Sequence, residues 1–190
     1  MNLSKGYEVE FNEALARAKQ WALDVPPFTP SNQPAITDES IEKFRLTAQK
    51  ILGQYQPEEV SQQCFQITGL MKETLEEIFN VPLTITIGYV SFNQTPVFYT
   101  PTDKLNDLLS QPPHFEGVNL HAWLTTPNHE IIDLTFGTTY SIVKDAPETL
   151  GVVICQHHSQ FTESMSYHPQ LVGEEFLLRI AGIAGYFFVN

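Results

Sequence analysis

Positive charge is scarce in this chain: ten Lys and Arg stand against 22 Asp and Glu, a formal net charge of −12 over 190 residues. Such a field repels phosphate backbones and anionic lipid surfaces, so neither nucleic acid nor a membrane is an expected partner, and a basic or polar one fits better. Cysteine is rarer still, with Cys64 and Cys155 alone. Without a secretory signal two such thiols are expected to be free rather than joined, which leaves thiol chemistry open. Glycine, at ten residues, is too sparse to supply a nucleotide cradle, and neither a Walker-type loop nor a dinucleotide fingerprint occurs. Long apolar runs are missing as well. Nothing approaches the roughly 18 to 20 residues that a membrane helix needs, and the first eight residues carry no signal-like apolar stretch. The expectation is a protein that works in the cytoplasm or leaves it by a route without a cleavable signal. Internal repeats and low-complexity tracts are absent too.

What the chain does have is a 42% apolar content, enough for a hydrophobic core in one domain spanning 1–190. Phe11, Leu15, Ala18 and Ala22 recur at helical spacing over residues 8–24. Four prolines between Pro26 and Pro34 then interrupt the chain as an ordered connector. A second helix follows, capped by Thr37 or Asp38, with Ile41, Phe44, Ala48, Ile51 and Leu52 on one face. A third is expected from a Ser61 cap to about Asn80, its stripe formed by Cys64, Ile67, Met71, Leu75 and Ile78. Cys64 has two readings here. It is a small apolar residue on a core face, or a thiol in the first turn, where unpaired backbone N–H groups and the helix dipole favour a thiolate.

Val81-Pro82 leads into a strand, Leu83–Val90, rich in β-branched residues. Residues 93–118 read as an irregular, proline-rich insertion with a short helical piece at Asp103–Ser110, either a lid or a surface excursion. Next comes a hairpin: His121-Ala122-Trp123-Leu124, a turn at Thr126–His129, and Ile131-Ile132-Asp133-Leu134-Thr135. If paired residue numbers sum to an even value, His121 and Asp133 point to one face; an odd sum turns Asp133 away. Leu150–Gln156 reads as a further strand with Cys155 as a structural thiol, and a short helix or strand containing Phe176, Leu177, Ile180 and Ile183 closes the core. His157, His158 and His168, in a polar segment near Cys155, suggest metal only loosely, since no C-x-x-C or H-E-x-x-H spacing accompanies them.

A cysteine at a helix start, followed by a strand, a histidine on one strand and an aspartate on the next, is a workable thiol site. The imidazole takes the thiol proton, and the carboxylate holds the ring tautomer and offsets the imidazolium charge. Gln63-Cys64-Phe65 opening a helix, the Val81-Pro82 strand ending at Gly88-Tyr89-Val90, His121-Ala122-Trp123-Leu124 and Asp133-Leu134-Thr135 together resemble the core of the transglutaminase-like superfamily within the papain-like cysteine enzymes. The bacterial branch that includes the lasso-peptide leader proteases has a similar order. The resemblance spans residues 60–136 and implies an α+β fold of papain/transglutaminase-like type, with N-terminal helices and the nucleophile at a helix start packed on an antiparallel sheet. It implies a helical extension over 1–56 and a catalytic core over 57–190, interrupted at 93–118. By it Cys64 is the nucleophile, His121 the base and Asp133 the orienting acid, acting on a protein or peptide acyl group without a cofactor or a metal. The Cys64 backbone N–H is the default oxyanion donor, with Gln62 or Gln63 as a side-chain addition and Trp123 as a wall beside His121. The competing readings are a non-catalytic binding module on the same fold and a metal-dependent hydrolase built on the C-terminal histidines.

Overall fold

The computed structural model describes residues 6–112 and 118–181, apart from the side chains of Gln62 and Ala181. Among the described residues it is an α+β protein of seven α-helices and six strands, divided into two compact units. The first takes in residues up to Phe28, Thr84–His121 and everything from His158 onward; the second comprises Thr29–Leu83 and Ala122–His157.

In the first unit the leading helix α1 (Tyr7–Gln20) buries Tyr7, Phe11, Ala14 and Ala18, an i, i+4, i+7, i+11 stripe. This corrects the expected face. Ala14 rather than Leu15 reaches the core, and the helix stops at Gln20, with Ala22 exposed in the left-handed region at φ 53°. The stripe rests on β6 (Met165–Val172), so the part of the polar segment around His168 is a strand. β6 runs antiparallel to β1 (Thr84–Phe92), pairing Tyr89 with His168 and Ser91 with Ser166. On its other edge β1 turns back into β2 (Thr95–Val97) through Asn93 and Gln94, both at positive φ, as a two-residue hairpin requires. β2 was not expected. Its Pro96 fits because within this unit the strand pairs on one side only. The expected short helix is α5 (Thr102–Leu109), which buries Leu105 and packs on α7 (Glu175–Ala181). Phe176, Leu177 and Ile180 of α7 are buried as expected, while Ile183 and residues 113–117 of the expected insertion lie outside the described residues. Gly173 leads into α7 at φ +90°, where a Cβ would also press on Pro26 and the Asp24 carbonyl.

The second unit opens on the proline connector and then α2 (Asp38–Leu52), capped by a reciprocal Thr37–Ser40 pair. Next is a short helix, α3 (Pro57–Gln62), and after one residue α4 (Cys64–Phe79). The expected Ser61 cap is thus corrected: Ser61 lies inside α3 and donates to the Glu58 carbonyl, and Gln63 is the residue before α4. Pro57 at the first helical position, with the Glu59 carboxylate accepting from the Gln56 N–H (2.7 Å), starts α3 on its own. α4 buries Cys64, Ile67, Thr68, Met71, Leu75 and Phe79, with Phe79 in the place expected for Ile78, its ring 5.9 Å from that of Phe44 of α2 and tilted 45° to it. β3 (His121–Thr125), whose first residue is the last of the first unit, pairs antiparallel with β4 (Glu130–Asp133), and β4 with β5 (Ile154–His157). Between β4 and β5 lies α6 (Phe136–Lys144), where only the end of a strand was expected. No helix among the described residues is long and apolar enough to cross a membrane.

Candidate active site

The hairpin register settles the question the sequence left open. Leu124 pairs with Ile132 and Thr125 with Ile131, sums that are even. Strand alternation therefore places His121, Trp123 and Thr125 on the same face as Ile131 and Asp133. The turn is a three-residue loop closed by the Thr126 N–H donating to the Glu130 carbonyl (3.0 Å), with His129 in the left-handed region at φ 58°. A buried carboxylate holds it. Glu130, 2% exposed, accepts from the Thr126 hydroxyl (2.8 Å) and from the Ala35 (3.0 Å) and Ile36 (3.1 Å) N–H groups, so the same side chain pins the proline connector.

Cys64 is the first residue of α4 and is buried, with 8% of its surface exposed. The N–H groups of a first helical turn have no partner within the helix, and here no Asp or Glu in that turn opposes a thiolate. The helix is anchored on β3 one turn further on. Thr68, four residues on and therefore on the Cys64 face, donates its hydroxyl to the carbonyl of Ala122, the chain neighbour of His121, over 3.4 Å. Cys155 stands elsewhere. It pairs with Ile132, whose side chain points to the face opposite Asp133, and burial followed by the Glu130 charge pushes its thiol up to about 12. Its expected structural role fits both observations.

His121 is 1% exposed, and its ring lies 5.6 Å from that of Phe98. Phe98 was not anticipated. It holds φ 58°, a conformation costly for an aromatic residue, and no glycine at that position signals it in the sequence. Asp133, also 1% exposed, accepts at Oδ1 from the N–H groups of Thr135 (2.9 Å) and Phe136 (3.0 Å). This is an Asx-type cap on the entry to α6, so the carboxylate is fixed in position by the backbone it terminates.

Of the remaining expected residues, Trp123 is fully buried and serves as a core wall on the His121 face of the hairpin. Gln63 precedes α4 and makes no side-chain cap; its carbonyl accepts from the Ile67 N–H (2.8 Å). The Gln62 side chain lies outside the described residues. No group of three or more His, Cys, Asp or Glu placed to hold a metal ion occurs among the described residues. His158 contacts Glu8 (3.2 Å), and His168 contacts Glu10 (2.9 Å).

Comparison of the chain with protein-family models, with curated proteins and with solved structures found no match.

Proposed function

We propose that the chain is a cysteine-dependent acyl-transfer enzyme of transglutaminase-like type, acting on peptide or glutamine amide bonds of protein or peptide substrates through a thioester. Cys64 attacks the carbonyl, His121 receives the thiol proton and passes it to the leaving amine, and Asp133 orients the ring. Water or an amine then attacks the thioester, giving hydrolysis, deamidation or cross-linking. The papain/transglutaminase-like core belongs to the same proposal. The observation that carries it is the placement of Cys64 at the first position of α4, with the helix tied one turn further on, through Thr68, to the residue next to His121. The shared hairpin face of His121 and Asp133, with Cys155 on the other, supports the choice of thiol.

The test is incubation with a mixture of unfolded proteins and mass spectrometry for cleaved peptides, Gln-to-Glu conversion or cross-links. Product is expected with the native protein and none with C64A. Equal product from the two, or activity that C64A retains and a chelator abolishes, overturns the assignment.

A further inference from the structure

We propose that Ser166, His168 and Glu10 form a second, serine-based acyl-transfer site that accepts small aryl esters. The Ser166 Oγ lies 2.9 Å from His168 Nε2, and His168 Nδ1 lies 2.9 Å from Glu10 Oε2. A carboxylate can only accept, so Nδ1 carries the hydrogen; in the neutral ring Nε2 is then the acceptor and the serine hydroxyl the donor. That is the connectivity of a hydroxyl nucleophile, its base and the group that orients the base.

The three residues are set on rigid elements of the first unit. Ser166 and His168 are two apart on β6 and so share a face, and Glu10 reaches them from α1, whose buried stripe packs on that strand. Arg17 of the same helix, also close to β6, donates to the Gln170 carbonyl. The ring is held from its other side as well. Tyr89, opposite His168 in the register, stacks on it at 4.6 Å with 13° between the planes. Tyr99 sits edge-on to Tyr89 at 4.7 Å and is 44% exposed, an aromatic platform open to solvent. The substrate class follows from that platform: an ester whose aryl group stacks on Tyr99 while its carbonyl meets Ser166.

In the first step the Ser166 Oγ–carbonyl bond forms, the hydroxyl proton moves to His168 Nε2, and the bond to the aryl oxide breaks as that oxygen takes the proton. Water then reverses the sequence, its proton passing through His168 to Ser166 as the acid is released. None of these residues belongs to the thiol triad, so the test uses C64A. An alkyl fluorophosphonate is the probe: serine oxygen displaces fluoride from phosphorus as the proton passes to His168. Expected is one adduct on Ser166 by peptide mapping, absent in S166A, and slowed at least tenfold in H168Q and measurably in E10Q. p-Nitrophenyl acetate hydrolysis by C64A should fall in the same order, with circular dichroism confirming that each variant is folded. No adduct, an adduct on another residue, or a labelling rate unchanged in folded H168Q overturns the proposal.

Discussion

Alkylation with iodoacetamide should separate the two thiols, and Cys155 sets the scale. Burial and Glu130 raise that thiol to about 12 from an ordinary 9.0. At about pH 8 it is then roughly one part in ten thousand thiolate, against about one in ten for an ordinary cysteine, a deficit of about a thousandfold in the reactive species. Its more basic thiolate recovers a factor of about 20 through greater nucleophilicity, which leaves it about fiftyfold slower than a cysteine peptide before any loss from burial. Raising the pH increases the thiolate fraction, so the Cys155 rate should climb about tenfold per pH unit until the pH nears its pKa. Cys64, at the start of α4, is expected to react at least as fast as the peptide at about pH 8 despite its small exposure, and H121A should slow it without moving Cys155. Time-resolved peptide mapping by mass spectrometry measures both sites in one sample. Equal rates for the two cysteines at pH 8, or a Cys155 rate that does not rise with pH, would refute the reasoning.

Three further perturbations probe what holds the site. D133A removes the acceptor for the Thr135 and Phe136 N–H groups and should cost about 1–2 kcal/mol in urea unfolding; D133N keeps a cap oxygen, retains most of that stability and still loses activity. E130A strands the donors from Ala35, Ile36 and Thr126 and should cost about 3 kcal/mol or more, while E130Q, by removing the charge, should bring the Cys155 thiol down from about 12, read as faster alkylation. G137A should lower the melting temperature despite the roughly 1 kcal/mol that alanine gains in a helix, because its Cβ would sit 2.4 Å from the Val152 carbonyl oxygen and 2.7 Å from that of Thr149; a higher melting temperature would mean that the segment moves aside freely.

Periodicity made the helices legible, since a stripe such as Phe44 and Ala48, or Met71 and Leu75, repeats at a spacing only a helix turns to one side. It was less able to fix ends and faces. In α1 the buried stripe is set by Tyr7, Phe11 and Ala18, and position 14 rather than 15 continues that stripe at helical spacing, while α3 starts at Pro57 as a separate helix before Cys64. Polar composition hid two elements. α6 buries two threonines and a serine while Ile142 and Val143 are exposed, so it has no apolar stripe to read, and β2 is three residues long with a proline in the middle. Cys64, His121 and Asp133 could be singled out by chemistry and order, but Phe98, Glu130 and Thr68 could not. Their parts are a ring contact, a buried acceptor and a 3.4 Å bond, relations that exist only once distant segments meet.

Asp133 joins the two levels. A carboxylate that orients an imidazole, the role proposed for Asp133, must not rotate, and a strand end is a poor place to immobilise one unless the backbone beyond it folds back as donors. The chain does this at Thr135 and Phe136, where α6 begins. The helix that sequence reading missed is therefore the element that fixes the residue it had selected. If Asp133 has the proposed role, a specific coupling follows: a substitution that loosens the start of α6, such as G137A, should free Asp133, lower turnover and slow Cys64 alkylation with it, while a Cys64 rate and turnover both unchanged in folded G137A would refute the coupling.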